Sequence, residues 1–455
     1  MSFAMTPVTA SRAAQPFLPN WVLVLLFITF VGLTFAVKSL VFPDRYRDVD
    51  VASYWAAART AFLDEVSPYG AEAPRLAQQR WMPDRLEVPP FLYTPVALLA
   101  FGPLQWMEPF TAARALFGLN LLAAVVMMTF LVRTLGLGSS RRVAWASALY
   151  TLLFPPLYES IGAGQINLLL MLLVFGVWHV YGSRRSTVAG GLAAASVVFL
   201  KLHLGLLLLP VLLRQRVSLL LTFIASLVLG SGLAAAVFPF NAWGSWLEHV
   251  VRASSLVKLP EGLPSVAMMT NLSIPAMTAR FLVPSRHRPF LDAPAWISSA
   301  VPALLCGLVL VWTAWVLWRS SRMPHTPERA NAEVCLALAA AFELSPLSWT
   351  HHLVFVLPTM LLLLRHVVLE PGRPPLTRGV LAASMLILVP HPYLFGKANA
   401  LVLVAMATLQ SLAALAMWGA ISVWVLQLAR EPSPDIRKDG ASEALVNVTP
   451  APSGR

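Results

Sequence analysis

A pair of aspartates, a lysine, two adjacent histidines and a few amides stand out in this chain, because almost everything around them is apolar. Asp48, Asp50 and Tyr54 follow the first long apolar run, and Tyr93 lies further along. Gln165 and Asn167 come just after Gly162 and Gly164. Lys201 and His203 fall at a break between two short apolar runs. Asn271, Ser273 and Arg280 lie mid-chain, and Ser345, Trp349, His351 and His352 complete the set. As residue types these cover proton transfer and anion binding. A positioned carboxylate takes a proton from a hydroxyl. Lysine, arginine and histidine meet negative charge as it develops. Amides and phenols hold hydroxyl groups.

Taken singly, each has a plainer reading. Asp50 reads as a solvated loop acid, and Lys201 as a side chain that snorkels to an interface. Gly164-Gln165-Ile166-Asn167 reads as a helix start whose amides satisfy backbone groups. His351 and His352 read as interfacial residues. Tyr54, Trp55, Tyr93 and Trp349 suit an aromatic belt as well as a sugar platform.

The elements that must position them are membrane helices. Of 455 residues 58% are hydrophobic and only 12% charged, against about 25% charged in a soluble domain. Mean hydropathy is +0.70. A run of about 18 or more apolar residues is long enough to cross the hydrocarbon core. Residues 21–42, 115–132, 217–238, 295–318 and 400–426 are such runs, with Lys38 their one charge. The net charge of +12 is scattered at the ends of these runs. That is the positive-inside distribution, not a nucleic-acid patch. Cys306 and Cys335 lie in apolar stretches, and no CxxC or HExxH spacing occurs. No disulfide framework, metal or cofactor is expected.

Loops carrying Arg133, Arg141 and Arg142, then Arg184 and Arg185, Arg214 and Arg216, Arg319, Arg322 and Arg329, and Arg365, Arg373 and Arg378 are assigned to the cytosol. The segments between them must cross and return. This predicts an all-α polytopic membrane protein of about twelve spans. It has a cytosolic amino-terminal segment over 1–19, a membrane domain over 20–428 and a disordered cytosolic tail over 429–455. Long external loops are expected at about 43–92 and 239–294. The apolar stretch 91–106 is long enough only for a half-span that returns to the outer face. This layout gathers the five polar clusters on the external side. Ionisable groups near a bilayer are costly and tend to line a cavity or bind something, so the clusters read as one site.

In order, the segments resemble a known family. Asp50-Val51-Ala52-Ser53-Tyr54-Trp55-Ala56-Ala57-Ala58-Arg59 is similar to the first-loop motif of the polyprenol-phosphate-mannose-dependent α-mannosyltransferases of the GT-C superfamily, glycosyltransferase family 87. Ser67-Pro68-Tyr69, Phe91-Leu92-Tyr93-Thr94-Pro95, Gly164-Gln165-Ile166-Asn167 and the stretch from Ala189-Gly190 to Leu200-Lys201 fit as well. So do Asn271-Leu272-Ser273 with Arg280. Ser345-Pro346-Leu347-Ser348-Trp349-Thr350-His351-His352 is the most distinctive. The resemblance runs from about residue 20 to about residue 425. Val51 replaces a commonly aromatic residue, and Leu204 a frequent proline.

The resemblance implies a GT-C fold in the cell membrane and a site facing the periplasm or exterior. It implies a polyprenyl-phosphate-linked sugar donor, with mannose as the expected hexose, and a glycolipid or glycan acceptor. Transfer would be inverting, with Asp50 as general base and Asp48 as its competitor. Lys201, Arg280, His351 and His352 become candidates for the donor phosphate. Gln165, Asn167, Asn271, Tyr54, Tyr93 and Trp349 become candidates for the donor or its sugar. The alternative is a lipid-linked sugar flippase or transporter, which places its polar site near the midplane between repeats.

Overall fold

In the computed structural model the chain is helical. The described residues are 50–69, 91–183, 188–238, 241–253, 265–283, 293–370, 374–390 and 400–430, with a few single positions between them. The first apolar run, Asp48 and the tail beyond 430 fall outside these. Among the described residues the one β feature is an isolated antiparallel bridge between Asn271 and Trp349.

The helices are α1 (Val51–Phe62), α2 (Pro95–Phe101), α3 (Pro109–Thr134), α4 (Arg141–Leu152), α5 (Pro155–Gly162), α6 (Asn167–Ser183) and α7 (Val188–Leu200). They continue as α8 (Leu208–Leu213), α9 (Val217–Val237), α10 (Ala242–Ala253), α11 (Ile274–Leu282), α12 (Ala295–Ser321) and α13 (Pro327–Leu344). The last are α14 (Leu357–Leu363), α15 (Pro375–Ile387) and α16 (Ala400–Leu428). Proline opens α2, α3, α5 and α13 within their first turn, where its missing N–H costs nothing.

Four helices are long and apolar enough to cross a membrane: α3, α9, α12 and α16. They match four of the five long runs in the sequence. The pair α5 and α6 makes a fifth only as a broken span, because its halves meet at 112°. The described residues therefore carry four or five such helices by length and composition. Shorter apolar helices lie between them: α7 stops at Lys201, where the sequence already shows a break, and the run 357–368 ends in a π turn. The stretch 91–106 is short, as expected, forming α2 and a 3-10 turn, Gly102–Trp106.

The outside of the bundle is apolar. Leu229, Val228, Val311 and Leu304 are each at least 65% exposed. Against water such a face would be an aggregation site; against lipid it is the ordinary one.

Arginines gather at one end of the bundle and cap helix carboxyl termini. Arg214 donates to Ser320 O and Met323 O, both at 3.0 Å, at the end of α12. Arg329 donates to Leu428 O at 2.7 Å, at the end of α16, and Arg378 to Val368 O at 3.0 Å. Arg365 reaches Leu135 O beyond α3. Cations there satisfy orphan carbonyls and offset the negative end of each helix dipole. Gly136 allows the last contact: its φ is +60°, and a Cβ there would lie 2.4 Å from Arg365 Nη1. The same end holds a buried ion pair, Arg214 Nη2 to Glu333 Oε1 at 2.5 Å. Ser320 Oγ donates to Glu333 at 2.6 Å, and the Tyr181 hydroxyl donates to it as well.

Candidate active site

The opposite end of the bundle brings most of the singled-out residues together, in two neighbouring groups. Asp50 caps the start of α1. Its side chain makes no capping bond to the helix amides, although the positive end of the helix dipole favours a carboxylate there. Its backbone N–H donates to Ala163 O at 3.1 Å, which fastens α1 to the end of α5. Gly164 turns the chain at that point with φ +62°, a conformation glycine adopts without strain. The turn delivers Gln165, whose Nε2 donates to Asp50 Oδ2. Gln165 Oε1 accepts from the Tyr54 hydroxyl at 3.2 Å, and the hydroxyls of Tyr54 and Tyr93 lie 3.0 Å apart. Tyr54 stacks on Phe101 at 4.6 Å. Tyr93 is held from behind, its carbonyl accepting from Tyr69 at 3.0 Å. The first group is thus a hydrogen-bonded row, Asp50–Gln165–Tyr54–Tyr93, walled by aromatic rings.

The second group is built on the break after α7 and on the 3-10 turn Thr350–Phe355. Lys201 ends α7, and its Nζ lies 2.5 Å from His352 Nε2 and 5.4 Å from the Phe355 ring. His352 Nδ1 is 3.1 Å from Leu347 O. A carbonyl only accepts, so Nδ1 carries the proton and Nε2 accepts from the lysine ammonium. His203 packs on His352 with ring centroids 6.5 Å apart, and His351 does so at 4.5 Å. Burial pushes the Lys201 ammonium down to about 7, while the Asp50 carboxylate pulls it back up. The two groups therefore share one electrostatic environment.

Asn271 and Arg280 sit behind this surface. Asn271 Nδ2 donates to Val266 O at 3.1 Å and Pro346 O at 2.9 Å. Its Oδ1 accepts from Ser348 N at 2.9 Å and Ser273 Oγ at 3.1 Å. Arg280 is 1% exposed. It donates to Asn271 O at 2.7 Å, to Ser411 Oγ at 2.8 Å, and to Met268 O and Ala407 O at 3.3 Å. With those bonds made, the Asn271 amide has nothing left for a sugar, and the Arg280 Nη groups have nothing left for a phosphate. Both hold the segment that pairs with residues 346–350. Leu272 N donates to Ser348 O and Thr350 N to Thr270 O, each at 2.8 Å. Trp349 joins that pairing through its bridge to Asn271.

Asn167 opens α6, fully buried, with neither side-chain atom hydrogen-bonded. Asn120 on α3 is in the same condition. Glu159 belongs to the second group and escapes sequence reasoning. It accepts from Thr350 Oγ1 at 2.6 Å and lies 3.4 Å from His351 Nδ1. Its one signal is an acid between Pro155-Pro156 and Gly162 in a chain with 21 acids in all. Among the described residues no three His, Cys, Asp or Glu side chains are grouped to hold a metal.

Two curated mannosyltransferases are similar to this chain. Both are polyprenol-phosphate-mannose-dependent alpha-(1-2)-phosphatidylinositol mannoside mannosyltransferases. The one from Mycolicibacterium smegmatis is 28% identical over 287 residues, 60% of this chain and 61% of that protein. The one from Mycobacterium tuberculosis is 27% identical over 379 residues, 80% of each. An alpha-(1->3)-arabinofuranosyltransferase of Corynebacterium glutamicum is 31% identical over 224 residues, 48% of this chain and 50% of that protein. No solved structure matches. The model of glycosyltransferase family 87 matches residues 91–346, more than half of the 455 residues, and the chain belongs to that family.

Proposed function

We propose that this protein is a membrane glycosyltransferase. It moves a hexose, mannose first among the candidates, from a polyprenyl phosphate to an acceptor hydroxyl. The observation that carries the reading is the pairing of a carboxylate with a cationic cluster at one end of an apolar bundle. Asp50 stands in one group, Lys201 and His352 in the other, and Asp50 acts electrostatically on Lys201. The mannosyltransferase relatives make a polyprenyl-phosphate sugar the natural donor, and a glycolipid the natural kind of acceptor.

The chemistry follows from the residue types. A polyprenyl phosphate is already a competent leaving group, so its departure needs charge stabilisation more than an acid. The acceptor hydroxyl attacks the anomeric carbon and passes its proton to Asp50. The C1–O bond breaks, its electron pair stays on the phosphate, and configuration inverts. Lys201 and His352 meet the growing phosphate charge. Gln165 holds the Asp50 carboxylate in place, and Tyr54 and Tyr93 offer hydroxyls beside it. Asn271 and Arg280 act through the loop they brace.

The arginine-capped end is assigned to the cytosol by the positive-inside rule. The site then faces the periplasm or exterior of a cell membrane, as in a GT-C fold of about twelve spans. The test is transfer from radiolabelled polyprenyl-phosphate-mannose to a membrane lipid extract by protein in nanodiscs. Label appearing in a new product supports the reading. Donor moved across a sealed vesicle without transfer would favour a flippase.

A further inference from the structure

Glu159 is tied to the histidine turn in a way that a helix-to-turn clip does not require. It lies on α5, and the neighbouring Ser160 Oγ donates to His351 O at 3.0 Å. Adjacent residues of α5 thus hold both the backbone and the ring of His351. Glu159 Oε2 accepts from Thr350 Oγ1 at 2.6 Å, and Oε1 faces His351 Nδ1 at 3.4 Å. An ionised carboxylate only accepts, so Nδ1 carries a proton in this contact. The other ring nitrogen, Nε2, is buried and has no hydrogen-bond partner. Its ring stands edge-on to His352, at 88°. A buried polar atom left unpaired is costly, so it marks a place where something else is expected.

The surroundings limit what that is. Lys201 and His203 face the cluster from the break after α7, and His352 from the same turn. Glu159 and Tyr158 come from α5. The segment packed behind, α13, ends in Glu343, and α6 carries His179 and Tyr181 toward the arginine-rich end. No titratable residue lies on α14. Asp50 acts through Lys201. Lys201 is the cation of this cluster, and the carboxylate of Glu159 lies on the Nδ1 side of the ring, so the Nε2 side suits an anion.

We infer that Glu159 is a positioning residue for the transfer: it fixes a proton on His351 Nδ1 and so presents Nε2 to the departing phosphate of the donor. The inference rests on the glycosyltransferase reading above. When the anionic donor binds, Nε2 takes a proton from solvent, and Glu159 balances the imidazolium. As the C1–O bond breaks, the electron pair stays on the phosphate oxygen, and Nε2–H donates to it. The acceptor proton goes to Asp50, so the two protons have separate homes.

The experiment compares wild type, Glu159→Gln and Glu159→Asp in nanodiscs. It reads kcat and KM for polyprenyl-phosphate-mannose, the thermal midpoint, and binding of polyprenyl phosphate without turnover. Glu159→Gln is expected to lower kcat about a hundredfold, with KM changed less than about threefold and the midpoint unmoved. It should weaken polyprenyl phosphate binding about tenfold. Glu159→Asp keeps the charge and should recover part of both losses. Wild-type kcat and binding in Glu159→Gln would overturn the inference. So would a loss that tracks a lowered midpoint and is not relieved by aspartate. A wild-type protein that neither transfers nor binds would instead remove the glycosyltransferase reading, and this inference with it.

Discussion

Lys201 is held far from the behaviour of a free lysine. It lies at the break after α7, outside the long apolar helices, with Nζ against His352. Burial holds its ammonium down to about 7. Below that pH the site carries the cation, and above it the cation is lost. A bound phosphate favours the ammonium and raises the group's pKa. Donor binding is therefore strongest below about pH 7 and weakens as pH rises through it. Donor dissociation constants measured across this range should show that limb in wild type and a shallower one in Lys201→Met, where only proton uptake at His351 is left. A flat wild-type profile would remove Lys201 from the phosphate site. Much of this was legible in the sequence. Asp50, Gln165, Tyr54, Tyr93, Lys201, His351 and His352 are uncommon types in an apolar chain, and the fold places them in two neighbouring groups. Glu159 was not legible, because one acid in a short apolar helix says nothing until Thr350 and His351 are seen against it.

At the scale of elements, the segment 265–283 acts as a brace. The family resemblance makes Asn271 and Arg280 candidates for donor binding, and in the structure both are engaged in bonds that brace this segment. Their partners are mostly backbone carbonyls, and backbone partners leave no trace in a sequence. Arg280 links this segment to α16 through Ser411 and Ala407, and Asn271 links it to the turn that carries the histidines. Arg280→Ala should therefore cost about 3 kcal/mol, the upper end for losing charged hydrogen bonds. Thermal unfolding in detergent should show a lowered midpoint, and transfer should fall with it. A lost activity at an unchanged midpoint would return Arg280 to the donor site. Breaks between apolar runs are legible where the sequence marks them: Lys201 stands at one, and Gly162 and Gly164 stand at the 112° turn between α5 and α6.

At the scale of the whole molecule, the two ends of the bundle do different work. One end pairs arginines with helix carboxyl termini and with Glu333; the other collects the reactive groups. Glu333→Ala should destabilise the protein by about 3–5 kcal/mol, because it leaves Arg214 buried without its carboxylate. The protein that remains folded should keep the wild-type KM for donor, since Glu333 lies at the far end. A changed KM at full folding would mean that the two ends communicate. The central claim is that Asp50 takes the acceptor proton within a site that binds donor independently of it. The most direct test measures donor binding and transfer for wild type and Asp50→Asn in one preparation. The account predicts donor bound with wild-type affinity and transfer reduced by about 10²-fold to 10⁴-fold, the range of a lost general base. Transfer at the wild-type rate by Asp50→Asn would contradict it.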